Sequence, residues 1–276
     1  MTELSNATVR VATTSNKWMQ GIGAGGTVLA LAILGASMLL RLTTVFAPDG
    51  HAVSTLPVSI EYAVRLLHRL AASSVALLAL GAVVLCWSRR SSIAHLARPT
   101  AWIMAATIAL ALIGPLTPGY RVEAVTVVNV TVGMLLLMAF WWLRESVVKA
   151  ATLRQSVDAF AWATVIGFLV HVATGAAASA YAMHGLHWPA FVHLGSLLLC
   201  IILIGALLRE VYRQRPLDRW FGVLVCLLVF QLLLGYLLMW QEVRPMWLSF
   251  FHAMLAPALG LALLSVVLAA STRVKS

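Results

Sequence analysis

Charge is what this 276-residue chain has least of: Asp, Glu, Lys and Arg together make up 10% of it, and the acids number only 9. That scarcity excludes a water-soluble globule, because 62% of the residues are hydrophobic and too few polar side chains remain to cover a surface. Cysteine is scarce as well. Cys86, Cys200 and Cys226 each lie inside an apolar run, and none stands in a CxxC, CxxCH or related ligand spacing. They read as small hydrophobes rather than disulfide or metal partners. Proline is thinly spread: Pro115, Pro118 and Pro257 are the only candidates to interrupt a membrane helix. Little therefore points to the discontinuous helices of a transporter. The formal net charge of +10 fits short cytoplasmic loops of a membrane chain, and nucleic acid is not expected as a partner.

What the chain does have is apolar length. A hydrocarbon core about 30 Å thick calls for about 20 apolar residues per helix, and eight runs meet that need, near 19–43, 58–87, 101–119, 122–143, 160–182, 189–208, 219–241 and 246–270. The expected fold is an all-α polytopic membrane protein whose eight transmembrane helices form two pseudo-symmetric four-helix bundles. Residues 1–18 read as a cytoplasmic tail, 19–150 as the N-terminal half and 151–276 as the C-terminal half. The connections alternate between basic ("SRRSSIAHLARP", "RESVVKAATLRQ", "REVYRQRPLDR") and weakly charged ("APDGHAVSTLP", "TPGYRVEA", "YAMHGLHWP", "QEVRP"). Of 19 Lys and Arg, 14 fall in the tails and the basic loops, which places both termini in the cytoplasm. The other five, Arg41, Arg65, Arg69, Arg121 and Arg244, sit at or near the outer ends of spans. Positive charge placed against the orientation rule calls for a fixed anionic partner.

The even-numbered spans carry "LLHRLAAS" (His68), "VVNVTVG" (Asn129), "FVHLGSLL" (His193) and "FFHAMLAP" (His252), each one to three turns in from the outer end. His68 and Asn129 are 61 positions apart, His193 and His252 are 59 apart, and His68 and His193 are 125 apart. Two four-helix halves therefore repeat. Glycines in the odd-numbered spans follow the same division: Gly175 and Gly235 precede the histidine spans of the second half, with Gly35 and Gly114 as weaker counterparts. Small residues there allow close helix approach.

His171 reads as a helix–helix hydrogen-bonding residue. His193 and His252 differ, because two imidazoles at like depth on two helices of one half can clamp a haem iron from both sides. Zinc is disfavoured, since no Cys, Asp or Glu stands nearby to complete a tetrahedron. Haem would also give the misplaced arginines their anions, the two propionates.

With eight helices, two fused halves and a histidine in nearly every even-numbered helix, the chain resembles the haem A synthase family over almost its whole length. "HRLAAS" in the second helix, "QLLLG" in the seventh and "FFHAMLA" in the eighth carry the likeness. The resemblance implies a multi-pass protein of the inner (plasma) membrane that oxidises the C8 methyl of haem O to the formyl of haem A. Haem O synthase and cytochrome c oxidase assembly components would be its partners, beside membrane lipid. It also implies haem b held by His193 and His252, and haem O received in the first half at His68, with Glu61 as the assisting carboxylate. Arg41, Arg65, Arg69, Arg121 and Arg244 would meet the propionates, and Asn129 would face the substrate.

Two departures from the family stand out. Its glutamate lies about one turn before the histidine, as E-x-x-H-R, whereas Arg65 holds that place here and Glu61 lies two turns before His68. The register of "HRLAAS" would keep positions 61, 65 and 68 roughly on one face. A Glu61–Arg65 pair that merely neutralises itself at the helix start is the competing reading. Asn129 occupies the place of the family's fourth histidine. Asparagine is a poor iron ligand, so a first-half haem would be held by His68 alone or by another partner. A haem-binding electron-transfer or oxidase-assembly protein without synthase activity is the alternative function.

Overall fold

Hydropathy alone dictates most of the architecture, because in lipid every backbone N–H and C=O must find its partner within the segment. The computed structural model describes residues 2–46, 52–89, 93–116, 123–148, 159–182, 186, 188–214, 219–241 and 245–270. Among them are eight helices long and apolar enough to cross a membrane: α1 (Thr2–Leu42), α2 (Val58–Ser88), α3 (Ala97–Ile113), α4 (Glu123–Val148), α5 (Ala159–Ala182), α6 (Trp188–Gln214), α7 (Arg219–Met239) and α8 (Met246–Ala270). The chain is an all-α polytopic membrane protein.

The fourth and sixth spans run a turn or more longer at their ends than the sequence reading, to Val147 and Arg213, and two other regions differ from it. The stretch read as a separate tail is the start of α1, which runs 41 residues, and its membrane-crossing part is Asn16–Leu42. The third span begins earlier and ends earlier than expected, at Ala94–Leu116, because single 3₁₀ turns extend α3 at both ends. Between α1 and α2 the chain makes a small antiparallel ladder, Thr44–Phe46 with Ala52–Ser54, in which Val45 faces Val53.

In the first half α1 lies along α2 and α4, and α3 closes the ring against both. Glycine makes the tightest seam. A Cβ on Gly23 would come 2.7 Å from the Arg144 backbone nitrogen, and one on Gly26 would enter the Phe140 ring. The second half is two hairpins, α5 with α6 and α7 with α8; α8 also packs on α1, α4 and α5, and α4 meets α5 between the halves. Among the described residues, α6 and α7 share at most a marginal contact.

Buried side chains gather toward the end from which α1 enters. One core joins Met19, Ile22, Val75, Ala79, Ala82, Leu136, Phe140 and Leu143. A second joins Met134, Leu137, Val165, Phe168, Ile204, Leu224 and the α8 run from Ala262 to Leu268. At that end Trp141 Nε1 donates to Ser265 Oγ at 2.7 Å, tying α4 to α8. At the opposite, distal end Arg41 Nη2 donates to Ser179 Oγ at 2.9 Å, tying α1 to α5.

Candidate functional site

Every residue singled out in an even-numbered helix lies in the distal half of the bundle. The face that α2 turns inward there runs through Glu61, Val64, His68, Ala71 and Val75, spaced three and four apart. All other residues from Val58 to Leu70 are exposed. Arg65 and Arg69 are therefore off the inward face, which corrects the expectation that 61, 65 and 68 share it. At 3.6 residues per turn, Arg65 lies about 40° to one side of Glu61 and His68 about 20° to the other. Arg65, with its side chain 52% exposed, brings Nη2 to 2.6 Å and Nε to 2.7 Å from Glu61 Oε1. The competing reading of this pair thus has its geometry. His68 is half-buried.

Asn129 is half-buried on α4 and opens into a cavity of about 90 Å³ at the seam between the halves. Arg41, only 7% exposed, lines the same cavity from α1, with Ser37, Thr126, Ala253 and Pro257. Pro257 has no N–H, so the Ala253 carbonyl loses its helical partner at this wall. The structure thus brings Arg41 and Asn129 together but leaves His68 outside the lining. Arg121 and Arg244 lie outside the described residues.

In the second half the two histidines are held in matched ways. A Cβ on Gly175 of α5 would come 2.9 Å from His193 Cε1, and one on Gly235 of α7 would come 3.2 Å from His252 Cε1. Each of these two imidazoles lies on a glycine of the helix before it. One turn ahead of each glycine stands a second polar side chain. His171 stacks on His193, with ring centroids 4.3 Å apart and planes 11° from parallel. Gln231 Nε2 stands 3.5 Å from His252 Nε2.

Two hydroxyls complete the first of these units. Ser196 Oγ lies 2.9 Å from His171 Nδ1, 2.7 Å from Thr174 Oγ1 and 2.8 Å from the His193 carbonyl. Thr174 Oγ1 lies 3.2 Å from His193 Nδ1 and 2.9 Å from the His171 carbonyl. His171 makes the interhelical hydrogen bond expected of it, but its stacking on His193 is not visible in the sequence alone. Gln231 opens the "QLLLG" stretch but was given no role of its own there. The signal that would have found both is the glycine register: 60 positions separate Gly175 from Gly235, and the same 60 separate His171 from Gln231.

A donor set of neutral imidazoles suits an iron already held in a macrocycle, which needs only one or two further ligands. Among the described residues, no three His, Cys, Asp or Glu side chains gather to hold an isolated metal ion. The buried, unpartnered Nδ1 of His252 and Oε1 of Gln231 are polar atoms of the kind that a bound group or water relieves. The 90 Å³ cavity at the seam between the halves is far below the roughly 300–1,000 Å³ of a drug-sized ligand's pocket. No protein-family model matches the chain, and no curated protein matches it.

Proposed function

We propose that the protein is a haem-binding membrane oxidoreductase of the haem A synthase type, with haem b held in its second half and haem O as the substrate of its first. The observation that carries the reading is the repeated imidazole-on-glycine unit, His193 on Gly175 and His252 on Gly235. A glycine under each ring lets two helices approach while keeping a half-buried imidazole between them, where a neutral nitrogen lone pair is of use to iron. Haem b, when bound, supplies one-electron transfer.

The chain's own residues have separable tasks in this reading. His193 and His252 would offer nitrogen ligands. Arg41, buried at the distal end, would pair with a propionate, a contact strengthened by the low local dielectric. His68 and Glu61, two turns apart on the inward face of α2, would receive haem O and hold or accept a proton near its C8 methyl. Glu61 can do so only when Arg65 releases it, and the exposure of Arg65 keeps that exchange cheap. The seam cavity must widen for a macrocycle to enter.

A second reading, a haem-binding electron-transfer or oxidase-assembly protein without synthase activity, draws on two observations: Asn129 stands where a histidine ligand belongs, and Glu61 is ion-paired. One experiment separates the readings. The protein is purified from cells that also make haem O, its pyridine-haemochrome spectrum is recorded and its haem extracted. Haem A in the extract supports the synthase, haem b alone supports the second reading, and a colourless protein refutes both. His193→Ala and His252→Ala should each lose the low-spin spectrum without unfolding. An unchanged spectrum in both would remove the ligand assignment.

A further inference from the structure

The two second-half hairpins share one register but not one chemistry. Positions 171, 174, 175, 193 and 196 correspond to 231, 234, 235, 252 and 255, and they hold His, Thr, Gly, His and Ser in the first hairpin against Gln, Leu, Gly, His and Leu in the second. The hydroxyls of Thr174 and Ser196 are thus replaced by Leu234 and Leu255. The stacked ring of His171 is replaced by an amide at the outer limit of hydrogen bonding.

We infer that the protein holds its two imidazoles unequally: His171, Thr174 and Ser196 act as positioning residues that fix the plane and tautomer of His193, while His252 is a loosely held, exchangeable donor. The inference rests on reading His193 and His252 as the haem b ligands.

Proton counting narrows the tautomer. Two hydroxyls carry two protons. At 2.7 Å one of these must lie between Thr174 and Ser196. The other then has a backbone carbonyl within reach, at 2.9 Å from Thr174 or 2.8 Å from Ser196. Where that carbonyl takes the proton, His171 Nδ1 and His193 Nδ1 donate to Ser196 and Thr174, and this is the arrangement inferred here for His193. The His193 Nε2 lone pair is left free. A histidine whose N–H is hydrogen-bonded is fixed in orientation and is the more basic ligand at its other nitrogen. The parallel His171 ring adds a second constraint, since His193 cannot turn without breaking the stack. His252 has neither a hydroxyl nor a stacked ring beside it, and its partners are the side chain and backbone of Gln231.

Two arms test this on the full-length protein. The first needs no haem: nitrogen NMR of the haem-free protein labelled with ¹⁵N-histidine, with His193 and His252 assigned by single substitution. His193 should show one tautomer, protonated at Nδ1, and Thr174→Val, which keeps shape and removes the hydroxyl, should convert it to a mixture. His252 should be a mixture in the unaltered chain. The second arm uses haem-loaded protein, where added imidazole should displace His252 and not His193. His252→Ala should then regain a low-spin spectrum at a concentration of imidazole at least tenfold below that needed by His193→Ala. His171→Gln, which imports the second hairpin's residue, should abolish that difference. A His193 protonated at Nε2, or a Thr174→Val spectrum unchanged from the parent, overturns the inference. So does equal rescue of the two alanine variants. A protein that takes up no haem would remove the proposed function, while the first arm would still decide the positioning roles.

Discussion

Adding one methyl group to Gly175 or to Gly235 should give opposite results, although both glycines lie in helix interiors under a histidine. In either place Gly→Ala lowers the entropy cost of forming the helix by about 0.8–1.0 kcal/mol. At Gly175 the new Cβ would stand 2.9 Å from His193 Cε1, 3.3 Å from Nδ1 and 3.4 Å from Nε2, so the ring must move. It is not free to move: it is stacked at 4.3 Å on His171 and bonded to Thr174. Overpacking costs about 1–3 kcal/mol, and a disturbed stack adds about 0.5–1.5 kcal/mol. The net effect for Gly175→Ala is a destabilisation of about 1–3 kcal/mol. At Gly235 the closest approach is 3.2 Å and the next 3.7 Å, against a ring with no stacked neighbour and no hydroxyl partner, held by the side chain and backbone of Gln231. A shift of a few tenths of an ångström relieves it, so Gly235→Ala should be neutral or slightly stabilising. Thermal unfolding in detergent, followed by tryptophan fluorescence, measures the difference between the variants, about 2 kcal/mol or about 30-fold in the unfolding constant. If Gly175→Ala melts at or above Gly235→Ala, the account of how His193 is held is wrong.

Three further outcomes are expected. Arg65→Ala should barely change the melting temperature, since an i,i+4 pair of this exposure contributes about 0.2–0.5 kcal/mol; a large drop would make the pair a structural element of α2. A reporter fused after Ser276 should be active on the cytoplasmic side, and activity only outside would reverse the orientation drawn from the basic loops. His68→Ala should abolish haem A formation while leaving the low-spin spectrum of the second half intact, read by haem extraction and optical spectroscopy; continued haem A production would show that the first half is not where the methyl is oxidised.

The spans were legible because the bilayer imposes one rule on all eight: enough apolar residues to cross, with the backbone satisfied internally. What periodicity left open is which face of a helix meets which neighbour. Arg65 illustrates this, since a residue one turn from Glu61 looks like its companion, yet the small angular offset carries it outside the inward stripe. In the second half the histidine and glycine registers were readable as a repeat. The residues that contact the rings were not, because Gln231 and Thr174 are ordinary in isolation and acquire a role only once Gly175 and Gly235 have brought the helices together. In the first half the corresponding positions before Gly35 and Gly114 are Leu31 and Leu110, so nothing polar there marks the repeat.

The uneven distribution of packing along the bundle has a mechanical consequence. Phe140, Leu143, Phe168 and Leu263, all fully buried, pin the helices at one end, while at the other the first three turns of α2 lie almost wholly uncovered and α6 and α7 barely touch. A rod fixed at one end pivots there, and at the far end only α1 with α5 and α5 with α6 carry polar ties. A helix of 25 residues is about 38 Å long at 1.5 Å per residue, so a tilt of about 5° at the pinned end displaces its tip by about 3 Å. Small angular changes at the fulcrum thus become openings of molecular size at the jaws, and those jaws face sideways into the lipid. The lateral pressure of the surrounding acyl chains would then govern how readily the tips spread.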